Sequence, residues 1–290
     1  MKNKRKTMVT AMLASIIMLI AAGFANAASI SGYMNFKDGV RNALNHRNVT
    51  TRFTYYVTVD GVTDENSREE YYIKADLDNG MTYENNNGFE SYNTKISEDR
   101  VRCINISQYN GKVSSSDYRY RDKFDSLYYN TQPEMIRVVE ILADALSGNA
   151  KDYFFTNEKS GNKTVTAKLN KEQVPEIVNA LIDLATSSSR SYNYFENGYT
   201  PDPTNTPFEE LDRKISHGFV KQIDVKEINI TAEMDKNNNI TLGKLEGLIL
   251  ITDNNNDTNE LVLTVDYTAE DIGTTTIVIP DEVLEKASKN

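Results

Sequence analysis

Residues 220–280 constrain the fold more than any other stretch, because apolar and polar residues alternate there over runs too long for loops. Leu261, Leu263, Val265 and Tyr267 fall on one side of an extended chain, and Val262, Thr264 and Asp266 fall on the other. Together with 222–234, 240–252 and 275–279, this predicts a meander of four strands. The first strand changes phase from Ile223 and Val225 to Ile228, Ile230, Ala232 and Met234. A bulge near Lys226–Glu227 reconciles the two halves, and Gly243 allows a similar shift in the next strand. The result is a long, curved antiparallel sheet with one apolar face. Such a face needs a cover.

Residues 1–27 read as a Sec signal peptide. Lys2, Lys4, Arg5 and Lys6 precede an apolar run over 11–24, and Ala25-Asn26-Ala27 fits the small-residue cleavage rule. Cleavage after Ala27 leaves a mature domain of 28–290 that is secreted or held in the cell envelope. No second run is long enough to cross a bilayer as a helix. The four basic residues leave with the signal, so the formal charge of −10 becomes −14. That charge repels nucleic acid and anionic membrane surfaces. Cys103 is the sole cysteine, so no intrachain disulfide forms, and a buried strand position is expected for it.

The N-terminal half reads as a second meander, wetter and richer in tyrosine. After a short helix over 38–45, Phe53, Tyr55, Val57 and Val59 share one strand face. Tyr71, Ile73, Ala75 and Leu77 share a face of the next strand. Asn79-Gly80, Asn87-Gly88 and Asn110-Gly111 carry the turn chemistry of tight hairpins, with shorter strands at 81–83, 90–96, 100–107 and 118–121. A capping box at Thr131–Glu134 opens an amphipathic helix bearing Met135, Val138, Val139, Ile141, Leu142 and Leu146. A hairpin over 153–155 and 165–169 follows. A second helix over 172–185 then buries Val174, Ile177, Val178, Leu181 and Leu184; its start lies at either Lys171 or Val174. The stretch 187–207, with Pro201, Pro203 and Pro207 among serines and tyrosines, separates the two sheet halves. Thr206-Pro207-Phe208-Glu209 is another capping box, opening a helix that stops before Gly218. A frayed tail is expected after Pro280.

The chain is poor in recognisable chemistry. His46 and His217 each lie beside an element end, without metal-ligand spacing. The loop 253–260 places Asp253, Asn255, Asp257 and Asn259 at alternating positions, as a calcium loop does. Thr258 replaces the required glycine, however, and Thr264 the bidentate glutamate, so a hairpin loop is the expected role. No nucleophile elbow or phosphate-cradling glycine loop occurs. The pairs Glu69-Glu70 and Glu209-Glu210 read as solvated. No enzymatic activity, cofactor or metal is expected.

The stretch Val174-Pro175-Glu176-Ile177-Val178-Asn179-Ala180-Leu181 and the ending Val265-Asp266-Tyr267-Thr268 … Ile272-Gly273-Thr274-Thr275 … Ile279-Pro280 resemble the LolA/LppX superfamily of lipoprotein carriers. The order of elements is similar as well. The resemblance implies an α+β fold: a half-barrel of curved antiparallel sheet around two or three amphipathic helices, with an apolar cavity for acyl chains. Many members are lipid-anchored through an N-terminal cysteine, which this chain lacks. The expected function is therefore binding or shielding of a hydrophobic ligand such as a lipid. Phe53, Tyr55, Val57, Tyr71, Ile73, Leu261, Leu263 and Val265 line the sheet side, and Met135, Val139, Leu142, Ile177 and Leu181 face them. The alternative is an extracytoplasmic protein–protein interaction or sensor module with a closed core, whose tyrosines and acidic surface meet an envelope protein partner.

Overall fold

Period-two alternation carries most of the described residues into a single antiparallel sheet. A computed structural model describes residues 31–97, 100–107, 111–119, 152–174, 206–216 and 219–288. The strands are β1 (Asn48–Val59), β2 (Val62–Thr63), β3 (Glu69–Asp76), β4 (Met81–Asn86), β5 (Phe89–Ser97), β6 (Arg100–Ile106) and β7 (Val113–Arg119). They continue with β8 (Phe154–Lys159), β9 (Asn162–Asn170), β10 (Val220–Met234), β11 (Ile240–Asp253) and β12 (Thr258–Glu270). Three helices accompany them among the described residues: α1 (Ser31–Asn45), α2 (Pro207–Ser216) and α3 (Asp281–Ala287). The protein is thus α+β, dominated by antiparallel sheet.

The strand order is β7-β6-β5-β4-β3-β1-β12-β11-β10-β9-β8, with β2 paired to β1 alone. Two meanders run outward in opposite directions from a central seam, where β1 pairs with β12. The order ends at β7 and β8, so the sheet is open. Turn chemistry sets the hairpins: Asn87 and Gly88 have φ of 48° and 83°, as do Asp60-Gly61 and Ser160-Gly161 within a few tens of degrees. Two positive values in succession are what a two-residue hairpin of this twist demands.

The predicted bulge is present. Val225 pairs with Ile249 and Glu227 with Leu248, leaving Lys226 as the extra residue. At Gly243 the register is regular; the shift in β11 lies at Thr241, between Ile240 and Leu242. A Cβ at Gly243 would lie 3.4 Å from that of its cross-strand neighbour Tyr267, an ordinary van der Waals contact.

The core lies on the apolar face of β8 to β12 and β1. Ile228, Ile230, Ile249, Ile251, Leu261 and Leu263 meet Tyr33 and Phe36 of α1 and Phe208, Leu211 and Ile215 of α2 in one cluster. Those helical residues recur at helix-face spacing. The helix predicted over 38–45 in fact begins at Ser31, because Tyr33 and Phe36 continue its stripe onto Phe154, at ring-centroid distances of 5.3 and 5.4 Å. The 206–209 capping box forms in both directions: the Glu209 amide donates to Thr206 Oγ1 at 3.2 Å, and the Thr206 amide to Glu209 Oε2 at 3.0 Å.

Close approach of α1 depends on Gly32. A Cβ there would lie 2.4 Å from the Phe154 carbonyl oxygen, which is backbone and cannot swing aside. Gly39 is less critical, because the atoms nearest its added Cβ, Met234 Cε at 2.8 Å and Ile240 Cγ1 at 2.9 Å, belong to side chains and not to backbone. Alanine in a helix ordinarily gains up to about 1 kcal/mol over glycine. Gly32→Ala is expected to reverse that sign and cost about 1–3 kcal/mol by urea unfolding. Gly39→Ala is expected to cost clearly less.

The C-terminus departs from expectation twice. Residues 275–279 are not a strand, because both lateral positions beside β12 are taken by β1 and β11. They form a strap held by side chains: Thr275 donates its amide to Asn48 Oδ1 at 2.6 Å, and its carbonyl accepts from Asn48 Nδ2 at 2.9 Å. The tail beyond Pro280 is not frayed but forms α3, with Val283 and Ala287 buried against Tyr92, Ile104 and Val113. The apolar contact has therefore changed sides, since these strand residues alternate onto the face opposite the main core.

The predicted helix over 131–148 lies outside the described residues, as does 175–185 of the second. At the start of the latter, residues 171–174 form a turn, not a helix beginning at Lys171. Asn170 Oδ1 accepts from the Gln173 amide at 3.2 Å, and Gln173 Oε1 from the Asn170 amide at 2.8 Å.

Candidate functional site

Register across β3, β1 and β12 brings the sheet-side candidates together. Phe53 is flanked by Tyr71 and Tyr267, Tyr55 by Glu69 and Val265, and Val57 pairs with Leu263. Ile73 pairs with Thr51, and Leu261 with Val59, on the same face. All eight sheet-side residues therefore share one continuous surface. Met135, Val139, Leu142, Ile177 and Leu181 lie outside the described residues.

Burial divides this surface in two. Tyr55, Val57, Leu261, Leu263 and Val265 are buried, with α2 packed beside β1. Phe53, Tyr71, Ile73 and Tyr267 are only half-buried, and the Phe53 and Tyr267 rings meet at 4.9 Å. Thus the apolar face continues past its fully packed part toward β3.

A carboxylate stands at that boundary. Tyr55 donates its hydroxyl to Glu69 Oε2 at 2.5 Å, Tyr71 donates to the same oxygen at 3.0 Å, and the two rings stack at 5.9 Å. Burial, reinforced by the Glu69 hydrogen bond, holds the Tyr55 hydroxyl far above its ordinary pKa; burial also raises Tyr71. Both phenols remain protonated donors at neutral pH. Glu69 was expected to be solvated with Glu70, yet it turns inward while Glu70 turns outward to Arg52 at 3.3 Å. Phase would have revealed this, because Glu69 alternates with Tyr71 and Ile73.

The remaining candidates have structural roles. Asp253 Oδ1 accepts the amides of Asn255 and Asp257 at 2.9 and 3.0 Å, and Lys214 Nζ lies 3.0 Å from Oδ2. The carboxylate that would open a calcium loop is thus consumed by its own hairpin. Asp235 repeats the arrangement with Asn237 and Asn239. Among the described residues, no cluster of His, Cys, Asp and Glu is disposed to hold a metal ion. His46 follows α1 directly, and burial lowers its pKa; His217 lies outside the described residues. Cys103 is half-buried on β6, where burial raises its thiol pKa and disfavours the reactive thiolate. No described helix is long and apolar enough to cross a membrane.

No family model matches the chain, and no curated protein matches it. Among solved structures, the tesB protein of Mycobacterium avium subs paratuberculosis is 8% identical over 89% of this chain and 99% of its own, at a TM-score of 0.10. A conserved protein of unknown function with a hot dog fold, from Alicyclobacillus acidocaldarius, is 7% identical over 86% and 90%, at 0.09. Neither likeness places the chain in a family. Scores of this size carry no argument about fold or chemistry, so any functional reading rests on the residues themselves.

Proposed function

We propose that this protein binds or shields a hydrophobic ligand such as a lipid acyl chain outside the cytoplasmic membrane. The ligand lies between the apolar sheet face and its helices, with the sheet curved as a half-barrel of the LolA/LppX kind. The role is binding, not catalysis. The observation that carries this reading is the half-buried apolar extension formed by Phe53, Tyr71, Ile73 and Tyr267 beside the packed core. An apolar surface with a few convergent polar groups is the usual character of a ligand site, and Glu69 with its two tyrosines supplies the polar margin. Extra residues at Lys226 and Thr241 support curvature, because bulges bend the strand that carries them.

Native mass spectrometry of the mature protein from its own host tests the proposal. A discrete added mass that organic extraction removes as lipid is the expected result. A bare chain that also ignores a fluorescent fatty-acid probe would overturn it and leave the protein-partner reading. Two variants separate cavity from core. Val57→Ala, at a fully buried site, is expected to cost about 2 kcal/mol of stability with little change in probe affinity once folded. Phe53→Ala is expected to cost less stability and to reduce probe uptake several-fold.

A further inference from the structure

We infer that the face opposite the apolar core carries a second site, a polar hollow on β1, β3 and β4 that takes a neutral sugar ring with vicinal hydroxyls. The hollow measures about 360 Å³ and is lined by Arg52, Glu70, Tyr72, Asn85, Asn87 and Gly88. That volume lies at the small end of the range for ligand pockets and suits one or two rings. Arg52, Tyr72 and Asn85 form one row across three strands, since Arg52 pairs with Tyr72 and Tyr72 with Asn85. The hairpin at Asn87-Gly88 builds the rim. Asn87 Oδ1 accepts the Glu70 amide at 3.2 Å, the Asn87 amide donates to the Glu70 carbonyl at 3.3 Å, and Asn85 Oδ1 accepts the Gly88 amide at 3.0 Å.

The chemistry of the lining selects the ligand class. Arg52 lies with its guanidinium carbon 5.5 Å from the centre of the Tyr72 ring and its Nε 3.3 Å from Glu70 Oε1. Both charged side chains remain about half exposed at the hollow. A guanidinium fork beside a carboxylate offers donors and acceptors side by side, which matches adjacent hydroxyl groups. Lys74 Nζ also lies 5.9 Å from the centre of the Tyr72 ring, so the ring offers sugar C–H groups the apolar surface that Arg52 and Lys74 leave open. The lining charges cancel, and the chain as a whole carries −10, so a neutral polyol is favoured over a phosphate or carboxylate. This site does not depend on the apolar face, and either can fail without the other.

The test is an amide NMR titration of the mature chain with cellotetraose, chitotetraose and maltotetraose, beside co-sedimentation with the corresponding insoluble polysaccharides. Saturable shifts of the Gly88 amide and the Asn85 side-chain amide with one tetrasaccharide support a soluble sugar ligand. Co-sedimentation confined to one polymer, with the same dependence on Arg52 and Tyr72, supports a polysaccharide surface. Arg52→Ala and Tyr72→Ala are each expected to weaken binding about tenfold or more. Tyr72→Phe, which keeps the ring, is expected to retain binding. Arg52→Lys, which keeps the charge but not the fork, is expected to lose it while unfolding at the wild-type temperature. No shift and no sedimentation with any sugar would overturn the proposal. So would binding unaffected by Arg52→Lys and Tyr72→Ala, or shifts produced equally by inorganic phosphate.

Discussion

Leu263→Ala is expected to destabilise the protein by about 4–5 kcal/mol, the upper part of the range for buried leucines. Leu263 is 0% exposed at the centre of β12, between Val57 on β1 and Gly247 on β11. The cost of such a truncation depends on how far neighbours can collapse into the space. Gly247 has no side chain with which to do so, and Val57 is stiff at χ1 and already buried. Urea unfolding should show the midpoint falling by on the order of 1–2 M at unchanged slope. A loss below about 1 kcal/mol would mean that the space refills, contrary to the packing described.

Lys214→Met is expected to cost about 3 kcal/mol, because it strands a charge in the interior. Lys214 occupies the last turn of α2, where a cation suits the helix dipole, and lies 3.0 Å from Asp253 with the two side chains 14% and 6% exposed. Burial pushes the Asp253 carboxyl up, but Lys214 and the amides of Asp257 and Asn255 outweigh it and hold the pKa below the ordinary carboxylate value. A carboxylate with a depressed folded-state pKa stabilises above its unfolded value and loses that contribution as the pH falls through the folded one. The stability gap between wild type and variant should therefore be full near neutrality and narrow below about pH 4. The double variant Lys214→Met, Asp253→Asn should lose less than the two single changes summed. A gap independent of pH down to acid unfolding would assign the cost to lost packing of the lysine stem.

Local rules recovered much of this architecture. Alternation placed β1, β3, β10, β11 and β12 and assigned the inward faces of β1, β3, β10 and β12 correctly, and the phase change in β10 located its bulge to one residue. The capping box at 206–209 was legible because both of its hydrogen bonds are made within four residues. Non-local facts were not legible. Thr275, Ile277 and Ile279 alternate as a strand does, yet no lateral position remains beside β12 once β1 has taken it. The same pairing creates the apolar surface, which needs Phe53 and Tyr267 as neighbours. The hollow around Arg52 has no signature in the sequence, because its residues come from two neighbouring strands, a third strand and a turn, each unremarkable alone. Glu69 could have been read from phase, but an acidic chain makes any carboxylate look solvated.

The seam between β1 and β12 has a further consequence for biogenesis. Its partners stand about 200 residues apart in the chain, as Asp60 and Glu260 illustrate. While the chain is being made, β1 can acquire β3 but must wait for β12, so the middle of the future sheet begins as an open edge. Closing so long a loop is slow, and unpaired edges invite association with other chains. A protein wired in this order is expected to delay its final folding until synthesis is complete. It also makes escort of the nascent chain more valuable than it would be for a meander whose neighbours are born together.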